Sequence, residues 1–242
     1  MTTTVSEGAS WRPIVRLAWG ALSIVLLESV LLSVALLPIM GFVHWQSTLS
    51  VTTPVRLALD AIAFAPLYLL FSFTLMVCSA LATRLLGWRT ADGLHERLSD
   101  FSWPVLDWGR GVMAIHVVRV FAGPGFRATP FWSLYMRLNG ARIGRLVFVN
   151  SLSLMDHNLL DFGDHVVIGS DAHISGHIIE RGILKTARVT LQSGTVIGIG
   201  SVVGIGVRTG VGTQVGPLSV VPKFTDLEAG AAYLGVPVQR IH

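Results

Sequence analysis

The chain has 242 residues, 52% of them hydrophobic and only 13% charged, with a formal net charge of +4 and a single cysteine. A mean hydropathy of +0.64 excludes an ordinary water-soluble globule, and one cysteine excludes a disulfide framework. The sequence carries no nucleic-acid-binding motif, and the modest excess of basic residues points to anionic lipid rather than nucleic acid.

The apolar residues concentrate in the first third. Ile14 to Val43 is largely apolar, interrupted by Arg16, Ser23, Glu28, Ser29 and Ser33; Leu57 to Leu86 is a second run, interrupted by Asp60, Ser72, Thr74, Ser79, Thr83 and Arg84. Each exceeds the roughly 20 residues that cross a bilayer core, and the first is too long for the apolar region of a cleaved signal peptide. Residues 1–87 are therefore expected to form an anchor of two transmembrane helices in the lipid bilayer. Arg12 and Arg16 flank the start of the first span, Arg84 closes the second and Arg89 and Arg97 follow it, whereas the connection carries only Arg56. That bias places both ends in the cytoplasm, so the expectation is a multi-pass protein of the cell (inner) membrane with a cytoplasmic domain. Glu28, near the middle of the first span, is costly in lipid and faces another helix, a headgroup or a substrate.

Residues 88–140 are rich in aromatic and basic side chains, among them Trp103, Trp108, Trp132, Arg110, Arg119 and Arg127. The mixture suits a membrane interface. An amphipathic helical linker along the cytoplasmic leaflet is expected, with helices at Gly93–Phe101, Pro104–Phe121 and Pro130–Leu138.

From residue 141 to 242 the chain is organised in sixes. Leu191, Ile197, Val203, Thr209, Val215 and Val221 are in register, and glycine follows four of them at Gly198, Gly204, Gly210 and Gly216. The lattice continues upstream through Ile143-Gly144, Val149, Met155, Phe162-Gly163, Ile168-Gly169 and Ile174-Ser175. A six-residue period of aliphatic and small residues marks a parallel β-helix, in which three hexapeptides close one triangular coil and coils stack to bury a common core. The glycine lets the backbone turn where a Cβ would crowd it. One residue is gained between Met155 and Phe162, as at a slipped corner. Between Ile174 and Leu191 the period breaks, and His177–Ala187 reads as a loop pushed out of the prism.

Four of the eight histidines fall between Met155 and His177: His157, His165, His173 and His177. The γ-class carbonic anhydrases set three histidines around such a prism, but His173 and His177 are four apart rather than five, and no metal ligand is assigned. A closer likeness runs through Phe148 to Asp156, Phe162 to Gly169 and Ala172 to His177, with Val220-Val-Pro-Lys223 and Gly235 to Ile241 at the end. It resembles the hexapeptide-repeat acyltransferases, such as maltose O-acetyltransferase and the xenobiotic acetyltransferases. That resemblance implies a left-handed β-helix, a homotrimer with its site between two subunits, and no bound cofactor. It also implies acyl transfer from a thioester donor (acyl-CoA or an acyl carrier protein) to a hydroxyl or amine.

By the same resemblance His177 is the general base and His173 its rival. Glu180, Asn150 or Asp156 orients the imidazole. Gly198, Gly204 and Gly216 line a groove for the pantetheine arm, and Lys223 and Arg240 meet its phosphates. Histidine suits the base role because its ordinary pKa of about 6.5 lies close to neutral pH. Phe131 to Gly144 resembles the membrane-bound C-terminal region of ε-poly-lysine synthetase-like enzymes, which implies a carrier protein or peptide synthetase as partner. Two other readings stay open on the sequence: a non-catalytic trimeric β-helix scaffold at the membrane, and a γ-carbonic anhydrase-like metal enzyme.

Overall fold

A long apolar run satisfies its backbone most cheaply as a helix when no water is there to compete. A computed structural model describes residues 11–241, and in it both runs are helical: α1 (Trp11–Ser47) and α2 (Thr53–Leu85). Each is long and apolar enough to cross a membrane. Within α1, Ser23 and Ser29 Oγ donate to the Gly20 and Val25 carbonyls at 2.7 Å. Gln46 Nε2 donates to Asp60 Oδ1 at 2.9 Å across the connection. No residue of α2 from Thr53 to Leu70 is buried, whereas Phe71, Leu75, Met76, Ser79, Ala80 and Thr83 are. At 1.5 Å per residue the unburied part is about 27 Å long, near the roughly 30 Å of a hydrocarbon core.

The lower half of the helix pair is covered by α3 (Trp103–Phe121) and α5 (Pro130–Leu138), with the single-turn α4 (Gly123–Phe126) between them. α3 packs on both α1 and α2. α5 buries Trp132, Tyr135 and Met136 against the first strands of the β region and closes that end of it. The helix expected at Gly93–Phe101 does not form. The segment holds a strand, His95–Arg97, and a 3-10 turn, Leu98–Asp100. Gly93 sits at φ 73°, outside the helical region, and the strand's backbone groups pair with an exposed sheet edge.

The β region is a stack of two- and three-residue strands in three parallel sheets, through which the chain passes in turn. Val196 lies opposite Gln214, Val202 opposite Val220 and Arg208 opposite Asp226, so each wall pairs residue i with residue i+18. In the two-residue strands the second side chain points inward, as Val203, Thr209 and Val215 do. Thr209 is the polar member of that core, and Thr195 Oγ1 meets its hydroxyl at 2.7 Å.

Glycine plays two separate parts. Behind each inward residue, a Cβ on Gly198 would lie 2.5 Å from Pro217 N, and one on Gly204 would lie 2.7 Å from Lys223 N. These glycines make room for the coil above, but they are not where the chain turns. The turns fall two residues later, at Gly194, Gly200, Gly206 and Gly212, all with φ between 66° and 73°, and Leu218 and Phe224 adopt the same left-handed conformation.

Two irregularities interrupt the lattice. Leu154, not Met155, bridges Ile174 and is fully buried; the coil is shortened before it and lengthened after it by the 3-10 turn His157–Leu159. The segment expected as a loop is an antiparallel hairpin, His177–Glu180 with Ile183–Thr186, and His95–Arg97 adds a third strand to it. Its two-residue turn, Arg181-Gly182, has φ of 51° and 74°, the sign pattern of a type I′ turn, whose twist matches that of hairpin strands.

Candidate active site

The two irregularities meet. The 3-10 turn leaves Asp156 in the left-handed region at φ 54°, a conformation a short polar side chain tolerates. Its buried carboxylate thereby reaches the start of the hairpin. Asp156 Oδ2 lies 2.5 Å from His177 Nδ1, with side-chain exposures of 0% and 20%. Ser175 Oγ lies 3.1 Å from the same Nδ1 and 3.3 Å from Asp156 Oδ2. The other carboxylate oxygen accepts from Thr90 Oγ1 at 2.9 Å. Gly176 makes the approach possible, because a Cβ there would lie 2.8 Å from Leu159 Cβ and 3.0 Å from Asp156 Cβ.

A carboxylate only accepts, so the hydrogen of this pair sits on Nδ1 and the lone pair of Nε2 is left free. α3 roofs the site. The Trp108 and His177 rings meet edge to face with centroids 4.9 Å apart. Farther along α3, Arg119 Nη2 lies 2.8 Å from His116 Nδ1 and its Nη1 lies 4.0 Å from Met155 Sδ. His173 occupies the outward position of its strand. Burial, reinforced by His177 and Arg119, holds its pKa below the usual histidine range, which favours the neutral ring.

The other sequence-derived positions lie elsewhere. Glu180, three residues along a strand from His177, falls on the opposite face by strand alternation. Lys223 and Lys185 both pair with it, the latter at 3.1 Å, and these bonds hold its pKa below the usual carboxylate range. It therefore does not orient His177. Glu180, Arg181, Ile183, Lys185 and Lys223 line an open recess of about 610 Å³ beside the hairpin tip. Arg240 pairs with Glu228 at 2.5 Å. Asn150 gives its backbone N–H to Ile168 O at 3.0 Å, and within one chain its side chain makes no hydrogen bond to His177. Gly198, Gly204 and Gly216 pack beneath Pro217, Lys223 and Leu234 respectively. The clustered histidines disperse. His165 is an exposed corner residue at φ 59°, and His157 is buried against Trp132 and Tyr135 with ring centroids 6.3 and 5.6 Å away. Burial pushes the His157 pKa down to about 4, outweighing the neighbouring Asp156 charge. Among the described residues no three His, Cys, Asp or Glu side chains converge as a metal site.

No family model matches the chain. Over 150 residues it is 23% identical to the delta-poly-L-ornithine synthetase of Acinetobacter baumannii, covering 60% of this chain and 11% of that protein. The chain thus spans about a tenth of the length of that relative. Similar solved structures include a hexapeptide-repeat-containing acetyltransferase of Vibrio cholerae, at 22% identity and a TM-score of 0.40 over 43% of this chain and 62% of that one. The same Vibrio protein complexed with acetyl coenzyme A gives 22%, 0.39, 43% and 60%. A maltose O-acetyltransferase of Clostridium difficile gives 17% and 0.39 over 46% and 73%.

The sequence does not assign Thr90, Trp108, Ser175 or Gly176 to the site. Ser175 and Gly176 adjoin His177, and a histidine preceded by two small residues at a break in the repeat is a signal that was there to be used. Thr90 and Trp108 come from far along the chain, and no local pattern marks them.

Proposed function

We propose that this protein is a membrane-anchored acyltransferase that moves an acyl group from a CoA or carrier-protein thioester to a hydroxyl or amine. The observation that carries this reading is His177, its Nδ1 bonded to the buried Asp156 carboxylate and its Nε2 lone pair unengaged. The acceptor O–H or N–H gives its proton to Nε2 as the oxygen or nitrogen bonds to the thioester carbon. The resulting tetrahedral species collapses, the C–S bond breaks, and the proton passes from Nε2 to the departing thiolate. Asp156 keeps the tautomer fixed and favours the transient imidazolium. Thr90 and Ser175 in turn hold the carboxylate.

On this reading the stacked walls form a left-handed β-helix, and the functional unit is a homotrimer whose neighbouring copy supplies Asn150. The pantetheine arm runs along the coils of Gly198, Gly204 and Gly216, and Lys223 with Arg240 meets the phosphates on exchanging its carboxylate partner. α1 and α2 span the cell membrane and hold the site on its cytoplasmic side. The test is thiol release from acetyl-CoA by the full-length protein in lipid nanodiscs, with amine and alcohol acceptors. His177→Ala is expected to abolish release while the assembly stays intact; full turnover in that variant would sink the assignment.

A further inference from the structure

Trp108 touches more than His177. Its other surroundings form a groove of about 340 Å³ between α1 and α3, lined by Leu17, Gly20 and Ile24 on one side and Phe101, Val105 and Trp108 on the other. The volume is in the range of small-molecule sites, and none of these six side chains carries a charge. α1 supplies one wall, and its own groove residues Leu17 and Ala21 are exposed, as is the adjoining apolar Val25. The groove therefore opens on the face that α1 turns to lipid.

One residue before Leu17 on α1, the Arg16 guanidinium lies 5.8 Å from the Trp103 ring, as does that of Arg110. Paired Trp and Arg side chains characterise the headgroup level of a bilayer and favour anionic surfaces. Arg110 is itself fixed by Asp107 at 2.9 Å and by Ser23 at 2.9 Å. At the inner end, Trp108 Nε1 is buried and has no acceptor among the described residues. One aromatic ring thus separates an apolar trough, open to lipid, from the imidazole that would take the acceptor's proton.

Resting on the acyl-transfer reading of the His177 site, we infer that this groove holds the hydrocarbon chain of the acyl acceptor. The acceptor is then a lipid-like amine or alcohol that arrives from the bilayer between α1 and α3. The donor thioester approaches from the aqueous side, along the prism. Occupation of the trough sets the reactive headgroup beyond Trp108, next to Nε2.

Gly109 supplies the test. It lines the groove, a Cβ there would meet nothing within 4 Å, and leucine is the better helix former. Gly109→Leu therefore fills the trough without disturbing α3. Gly41→Leu, on an exposed face of α1 and equally free of neighbours, is the control. Full-length protein in phosphatidylcholine nanodiscs is photolabelled with a hexadecylamine bearing a mid-chain diazirine, and adducts are mapped by mass spectrometry. Adducts are expected on the segments 17–24 and 98–109, reduced at least fivefold by Gly109→Leu and unchanged by Gly41→Leu. Labelling spread evenly over α1 and α2, or undiminished in Gly109→Leu, overturns the groove. With acetyl-CoA as donor, Gly109→Leu should lower kcat/KM for hexadecylamine at least tenfold more than for ethanolamine; equal losses also overturn it. Labelling confined to the groove, with no transfer to any acceptor, would uphold the groove and refute the catalytic reading instead.

Discussion

His157 gives the fold an acid sensitivity that can be worked out from one side chain. In an unfolded chain a histidine titrates near 6.5; buried among Trp132, Tyr135 and the adjoining backbone, His157 titrates at about 4. Between these values the unfolded chain binds a proton that the folded chain refuses. Stability is therefore full above about pH 6.5 and falls with acidification until the folded pKa is reached. At about 1.4 kcal/mol per pH unit, the whole interval is worth about 3 kcal/mol, or roughly 6–12 °C in melting temperature for a chain of this size. His157→Phe keeps a flat ring in an aromatic pocket and removes the titrating group. Melting followed by tryptophan fluorescence in detergent, from about pH 7.5 to about pH 3.5, should show the wild type losing that much more than the variant. Every other titrating group is common to both proteins, so the difference isolates His157. Parallel losses in the two proteins would refute the reasoning.

Other substitutions probe the site and the stack. Asp156→Asn replaces an obligate acceptor with an amide that can donate to Nδ1 and move the ring hydrogen to Nε2, so thiol release should fall roughly 10²–10⁴-fold, with acetyl-CoA binding by thermal shift retained. Thr90→Val leaves one buried carboxylate oxygen without its donor and should cost about 1–3 kcal/mol in melting experiments. Gly176→Ala forces a methyl between Leu159 and Asp156; kcat should drop at least tenfold while the circular dichroism spectrum is preserved. Gly198→Ala sets a methyl 2.5 Å from Pro217 N. Overpacking of that kind costs about 1–3 kcal/mol, to be read as a lower melting temperature.

The regular part of the prism could be read in the sequence because its core is periodic. Leu191, Ile197, Val203 and Val215 repeat at multiples of six, the step from one wall of the coil to the next, and the structure buries all four. The two apolar helices were equally plain. The site was harder, because it depends on departures from the period. Asp156 is one of three candidates to orient His177, and that it is the one bonded to the imidazole follows only from the lattice shortening at Leu154 and swelling at His157–Leu159. The hairpin left a clue in Ile-Ile-Glu-Arg-Gly-Ile-Leu, apolar residues around a glycine turn, but a segment that breaks one repeat is easily taken for an irregular loop. His95–Arg97 has little strand character of its own; it became a strand because the hairpin offered it an edge. Thr90 and Trp108 could not have been found, since their contacts to Asp156 and His177 are made only when the helical layer docks on the prism.

Those docking contacts bear on how such a protein can be inherited or rearranged. A cut at residue 140 looks clean on paper, with helices before it and β structure after it. Yet Thr90 bonds the Asp156 carboxylate, Asn158 Nδ2 bonds the Thr90 carbonyl at 2.7 Å, and Thr186 Oγ1 bonds the Ala91 carbonyl at 2.6 Å. Transplanted alone, the β stack would carry away its histidine and aspartate but leave behind the hydroxyl that steadies them and the indole that shields them. The smallest portable unit of this site is therefore the prism with the segment from Thr90 through α5, and gene fusions that respect the unit should join upstream of Thr90.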